Sequence, residues 1–212
     1  MRRTSGVHAA AAAVLAATMG AASAADFVAR GNEPGWVVRM TDEAITFEPM
    51  GGAATTISPL PQPQDIENGK AYEATVDGKP FRLAIVDRVC ADTMSGMNFP
   101  ATAEIRFGGE TLAGCGGEPF DLLRGEWIVE EIGGEKVVEG SQASLNFADE
   151  KTLNGNASCN RYFAAVTLTG EGLSFGKAGA SMMMCDEALM KQERRFLDAL
   201  EAISHFAVGD DG

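Results

Sequence analysis

Four cysteines, Cys90, Cys115, Cys159 and Cys185, offer the most reactive chemistry in this chain. As thiolates they could attack a substrate or hold a metal, and as pairs they cross-link. No C-x-x-C occurs, and zinc sites usually use short ligand spacings, so a zinc centre is disfavoured. Four cysteines allow three pairings. Cys90 and Cys115 lie 25 residues apart and Cys159 and Cys185 lie 26 apart. Two near-equal loops, one in each half, predict the bonds Cys90–Cys115 and Cys159–Cys185. In the chain-entropy view each contributes about 3 kcal/mol.

Other reactive side chains are sparse. The chain has two histidines, His8 and His205. A Ser-His-Asp triad needs a histidine bonded to both nucleophile and carboxylate, and His205 would serve only if the fold brought a serine to it. The favoured reading is a surface or capping residue near a helix C-terminus, where its charge suits the dipole. Ser174-x-x-Lys177 has the Ser-Lys spacing of some acyl-transfer enzymes, but it precedes a turn and does not open a helix. Met182-Met183-Met184 and the Met94/Met97 pair carry thioethers that could take copper(I), although methionine more often fills irregular gaps in a core. Glu130-Glu131 and Asp210-Asp211 form no recognisable acid–base pair. No Gly-rich loop follows a strand and opens a helix, so nucleotide binding has no support.

The N-terminus has the three parts of a secretory signal. Arg2 and Arg3 are its positive region, Ala9 to Met19 its apolar region, and Ala22-Ser23-Ala24 its cleavage site. Thr4-Ser5-Gly6-Val7 does not continue a twin-arginine pattern, so the general export route is favoured. No cysteine stands at the cleavage site to carry a lipid, and no later run is long enough to span a bilayer. Cleavage after Ala24 removes 24 of the 212 residues and leaves 188, enough for one domain or two small ones. The signal contains two of 17 basic and none of 30 acidic residues, which leaves a mature net charge of −15. Such a chain repels phosphate backbones and anionic lipid, so nucleic acid is disfavoured as a partner.

Most of the chain must position these residues with strands. Trp36 to Met40 and Ala44 to Phe47 are strand-like runs. Gly51 to Gly69, with Pro59, Pro61 and Pro63, is expected as a loop with at most one edge strand. Tyr72 to Val76 and Phe81 to Val86 form a hairpin about Asp77-Gly78, and Thr102 to Phe107 and Glu110 to Leu112 another about Gly108-Gly109. Cys90 to Pro100 reads as a turn-rich connection. A seam falls at Gly116-Gly117-Glu118-Pro119.

Beyond the seam, Trp127 to Ile132 with Lys136 to Val138, and Phe163 to Thr169 with Leu173 to Phe175, read as hairpins. Ala143 to Phe147 alternates as a strand, and Thr152-Leu153 leads into a turn. Asp186 to Ile203 is the one helix, with Leu189, Met190, Phe196, Leu197, Leu200 and Ile203 on a stripe. Asp186 is its expected N-cap. Phe206 to Val208 is expected as a final short strand.

The second half carries Leu123-x-Gly125-x-Trp127, then Asn154-Gly155-x-x-x-Cys159-Asn160-x-Tyr162, then Leu173-x-Phe175-Gly176, Met184-Cys185 and Glu193-x-x-Phe196-Leu197. In this order the residues resemble the META domain, the HslJ-like heat-shock family of bacterial envelope proteins. The match spans roughly Leu122 to the end, with Gly155, Cys159, Asn160, Tyr162, Met184, Cys185, Glu193 and Phe196 as its most specific positions. The resemblance implies an association with heat shock, novobiocin resistance and, in some parasites, virulence, but no catalytic residue. Membership of the pattern implies that Met184 packs. META domains usually finish with a further strand, so sheet edges left at the C-terminus are a candidate partner site. The first half, from about Phe27 to Gly117, resembles uncharacterised envelope domains often joined to META. That likeness rests on Gly31-Asn32-Glu33-Pro34-Gly35-Trp36, Cys90-x-Asp92-x-Met94-Ser95-Gly96 and Leu112-x-Gly114-Cys115-Gly116.

Together these readings predict an α+β, mostly β protein of two small antiparallel β-rich units, the second with one amphipathic C-terminal helix packed on its sheet. Residues 1–24 are expected to be the signal peptide, 25–118 an N-terminal envelope domain and 119–212 a META/HslJ-like domain. The expected role is a non-enzymatic, periplasmic or secreted stress-associated protein that binds a protein, peptide or small ligand. No catalytic residue, cofactor or metal is assigned, and no membrane insertion of the mature chain is expected. The alternative is a periplasmic hydrolase using Ser174/Lys177 or a carboxylate site.

Overall fold

A computed structural model describes residues 27–170 and 172–209. The expected signal segment lies outside the described residues, as does Asp210-Asp211.

The first half is all strand. Its elements are β1 (Phe27–Asn32), β2 (Gly35–Met40), β3 (Ile45–Pro49), β4 (Thr55–Ile57), β5 (Gln64–Ile66), β6 (Gly69–Val76), β7 (Lys79–Val86), β8 (Cys90–Ala91), β9 (Asn98–Phe99), β10 (Ala101–Phe107) and β11 (Glu110–Gly116). Nine of them form one antiparallel sheet in the order β4-β3-β2-β1-β11-β10-β7-β6-β5, while β8 and β9 pair separately. The hairpins turn where expected: Asp77 and Gly78 have φ of 49° and 74°, and Gly108 and Gly109 have 64° and 90°. Both central residues of a tight I′ turn need positive φ, which these types tolerate. Val38, Ile45, Phe81, Leu83 and Ile105 fill the core of this sheet.

After a 3-10 turn at Pro119–Leu122 come β12 (Gly125–Ile128), β13 (Glu131–Ile132), β14 (Glu135–Lys136), β15 (Ser144–Asp149), β16 (Thr152–Asn156), β17 (Arg161–Thr169), β18 (Gly172–Phe175), β19 (Gly179–Ala180) and the helix α1 (Glu187–Glu201). The sheet order is β12-β15-β16-β17-β18, with β19 also on β17 and β13-β14 a separate hairpin. On β17, Tyr162, Ala164 and Val166 are buried and alternate with exposed residues. That period of two buries one sheet face, and α1 adds Phe196 and Leu200 to the same core. The two core clusters share no residue. The fold is thus α+β and mostly β.

Several expectations need correction. The Gly51–Gly69 region contains two short strands, β4 and β5, and both lie at sheet edges, where missing proline donors cost no ladder bond. The connection after Cys90 contains β8 and β9. Thr152-Leu153 continues through Gly155 as β16, because Gly155 pairs directly with Tyr162. The hairpin expected from Trp127 to Val138 is divided into the edge strand β12 and the separate β13-β14 pair. Phe206 to Val208 forms no strand: this segment makes no ladder with a described strand, and apolar composition does not supply a partner.

Candidate functional site

Both disulfides have the expected pairing, Cys90–Cys115 and Cys159–Cys185. Each sits in a knot made from residues far apart in the chain.

In the second unit the knot centres on Asn160, which is buried. Its backbone N–H and side-chain amide both donate to the Glu193 carboxylate of α1, at 2.7 and 3.0 Å. Its Oδ1 accepts from Ser181 Oγ and Met183 N–H, and its amide also donates to the Met183 carbonyl. Cys159 beside it is bonded to Cys185 at the foot of the helix. Tyr162 packs edge-on against Phe196 and donates to the Ser144 carbonyl at 3.0 Å. Burial pushes the Tyr162 phenol well above its ordinary value. Gly155 must be glycine: a Cβ there would lie 2.2 Å from the Ser144 carbonyl oxygen. Gly155, Cys159, Asn160, Tyr162, Cys185, Glu193 and Phe196 therefore come together as a clamp between helix and sheet.

Met184 does not join them. It is 89 % exposed, which corrects the packing expected of it, since its neighbour Cys185 turns into the disulfide while its own side chain points to solvent. Sequence reasoning missed Gln192, a buried amide on the inner stripe of α1. It accepts from Val138 N–H and donates to Ser141 Oγ and Ser158 Oγ. A polar residue four positions before Phe196, on the apolar stripe, was the available signal.

The first unit repeats the strategy with different residues. Asn32 donates to Asp92 Oδ2 at 2.8 Å and to Thr93 Oγ1 at 3.1 Å. Asp92 Oδ1 accepts from Met94 N–H, Ser95 N–H and Ser95 Oγ. Partial desolvation raises the Asp92 pKa, but these hydrogen bonds outweigh it and hold the carboxyl below 3.8. The buried Trp36 ring crosses Gly31 and Gly114, where added Cβ atoms would approach it to 2.1 and 2.8 Å. The three short motifs quoted for this half thus converge beside Cys90–Cys115.

The other candidates stay apart. Ser174 and Lys177 are both exposed, with no hydrogen bond between them among the described residues. Ser204 Oγ lies 2.8 Å from His205 Nδ1, but both are exposed chain neighbours, and among the described residues no carboxylate is hydrogen-bonded to this pair. Glu130 and Glu131 are exposed, Met97 is buried and Met94 is exposed. Among the described residues no three His, Cys, Asp or Glu side chains converge.

One concavity has ligand-binding character. A groove of about 340 Å³ lies where β12, β15 and β18 face the segment after α1. Its lining is mostly apolar, with Trp127, Phe147, Leu173, Phe175 and Phe206 prominent and Ile128 on the wall, and its polar members are Glu130, Glu131 and His205. The Trp127 indole donates to the Leu123 carbonyl at 2.7 Å, which fixes the ring. β12 is an edge strand of its sheet. A second cleft, about 460 Å³, lies between the units, and its charged lining is two cations, Arg30 and Lys151, and two acids, Glu118 and Glu150.

An antiparallel sheet clamped to one C-terminal helix, with a mostly apolar groove beside it, defines a small β-rich module. Residues 120–212 match the family model of the META domain. No curated protein and no solved structure matches the chain. Among the described residues no helix is long and apolar enough to cross a membrane.

Proposed function

We propose that this is an exported, non-enzymatic envelope protein whose META half is HslJ-like and binds an apolar ligand or peptide in the Trp127 groove. The first half is its companion envelope domain, and the association with stress follows from the family. One observation carries the reading: an apolar groove, walled by a fixed indole, lies beside an edge strand. Such concavities with few polar groups are the usual form of a small-ligand site, and an edge strand can pair with an extended peptide. The two disulfides suit an oxidising compartment.

The test uses the neutral, fluorescent apolar probe N-phenyl-1-naphthylamine. Ile128 is 70 % exposed, so Ile128→Glu leaves the core alone and puts a charge on the groove wall. Affinity for this probe should fall at least fivefold, and unchanged affinity would remove the groove from consideration. A deletion strain should lose tolerance to heat or envelope-active drugs, and unaltered tolerance would count against the stress role.

A further inference from the structure

Three consecutive large apolar side chains stand in solvent: Met182, Met183 and Met184, at 97, 57 and 89 % exposure. Burying a methionine side chain is favoured over leaving it in water, so three exposed in a row forgo that stabilisation. The backbone beneath them is nevertheless held at four points. Asn160 binds both the N–H and the carbonyl of Met183. Ser181 N–H donates to the Arg161 carbonyl at 3.0 Å, and Cys185 is tied to Cys159. An N–H and carbonyl of one residue facing a single partner is extended-chain geometry. In it the flanking residues project to one side and the central residue to the other. Met182 and Met184 therefore share a face, with Cα atoms about 6.6 Å apart by strand rise.

We propose that Met182 and Met184 form a two-thioether site for a soft monovalent cation, copper(I) or its analogue silver(I). Thioethers select soft ions, whereas hard cations prefer carboxylates. All four cysteines are in disulfides, so methionine sulfur is the soft donor left free. Exposed Asp186 and Glu187 follow directly in the chain, and the net charge of −13 favours a cation over an anion. Binding replaces water and releases no proton, because a thioether has none to lose. Affinity is therefore flat between about pH 5 and 7, where an imidazole or thiolate site would weaken with acid. The site is separate from the Trp127 groove and stands or falls independently of it.

The test is a silver(I) titration of the purified protein labelled with ¹³C at methionine methyl groups, followed by NMR. Silver(I) avoids copper redox chemistry. Met50 and Met94, 82 and 79 % exposed, act as isolated thioether controls. The Met182 and Met184 signals should shift together at silver concentrations at least tenfold below those that move the controls. In M182L the Met184 response should fall to the control level. A copper(I) competition with a chromophoric chelator should show the same loss in M182L/M184L. Parallel shifts of all exposed methionines, or a Met184 response unaltered by M182L, would overturn the proposal.

Discussion

Glu193 grips Asn160 at two points, its carboxylate accepting from the backbone N–H at 2.7 Å and the side-chain amide at 3.0 Å. The two residues lie 33 positions apart, on the helix and on the loop before β17. Hydrogen bonds to an ionised acceptor are about twice as strong as neutral ones. Asn160 in turn holds Ser181 and Met183, so the carboxylate organises the whole approach to α1.

Glu193→Ala should therefore cost more than an ordinary helix substitution. It leaves a buried N–H and one amide proton short of a partner, at about 1–3 kcal/mol per buried group. Urea unfolding should show a loss of roughly 2–4 kcal/mol for that pair. Asp198→Ala, on an exposed face of the same helix, should stay within about 0.5 kcal/mol. Equal effects at the two positions would deny the clamp its role.

Asp92 makes a pH prediction. Its carboxyl is held below 3.8 in the folded state. A depressed folded pKa gives stability that is present above the unfolded value and lost as pH falls through the folded one. The loss should thus begin near pH 4 and grow below it. Asp92→Asn removes this acid-dependent part while keeping an acceptor at Oδ1. Denaturation measured from pH 5 to pH 2 should show a shallower decline in the variant, and identical declines would show that the Asp92 turn does not contribute.

The disulfides allow a comparison of the two halves. Their separations of 25 and 26 residues are nearly equal, so chain entropy assigns each about 3 kcal/mol. Cys159→Ser/Cys185→Ser also loosens the anchor of Met183, whereas Cys90→Ser/Cys115→Ser leaves it untouched. Mass-spectrometric hydrogen exchange should therefore show faster exchange at 181–186 in the first double variant only. Protection kept in both would mean that Asn160 alone fixes the loop.

The disulfides were legible because two nearly equal spacings left one natural pairing, and the hairpin of β17 and β18 was legible from its strand-like runs, although β17 begins at Arg161 and not at Phe163. The helix was legible because its apolar residues recur with a period of 3.6. β1 was not: Phe27–Asn32 is short and ends in Gly-Asn, and it is a strand only because β2 and β11 pair with it on both sides. Asn160 and Glu193 were visible as motif letters, but no local spacing encodes a contact across 33 residues. The groove eluded the sequence because β12, β18 and the post-helix segment meet only in three dimensions. Phe206 to Val208 shows the converse failure, since strand-like composition found no ladder to join.

Tyr162 gives the opposite pH signature to Asp92. Burial raises its phenol above the ordinary 10.0, so the folded protein keeps a proton that the unfolded chain loses near pH 10. Above that pH the unfolded state binds fewer protons, and the tyrosine's contribution falls as pH rises. Tyr162→Phe should cost about 1 kcal/mol at neutral pH, because it removes the hydrogen bond to the Ser144 carbonyl. It also removes the titrating group. The gap between wild type and variant should hence close above pH 10 and can reverse, because wild type alone carries the Tyr162 penalty. Every other ionisable group is common to both proteins and drops out of the difference. Unfolding curves at pH 7, 9, 10 and 11 would test this, and a constant gap across them would mean that the phenol is solvated in the folded state.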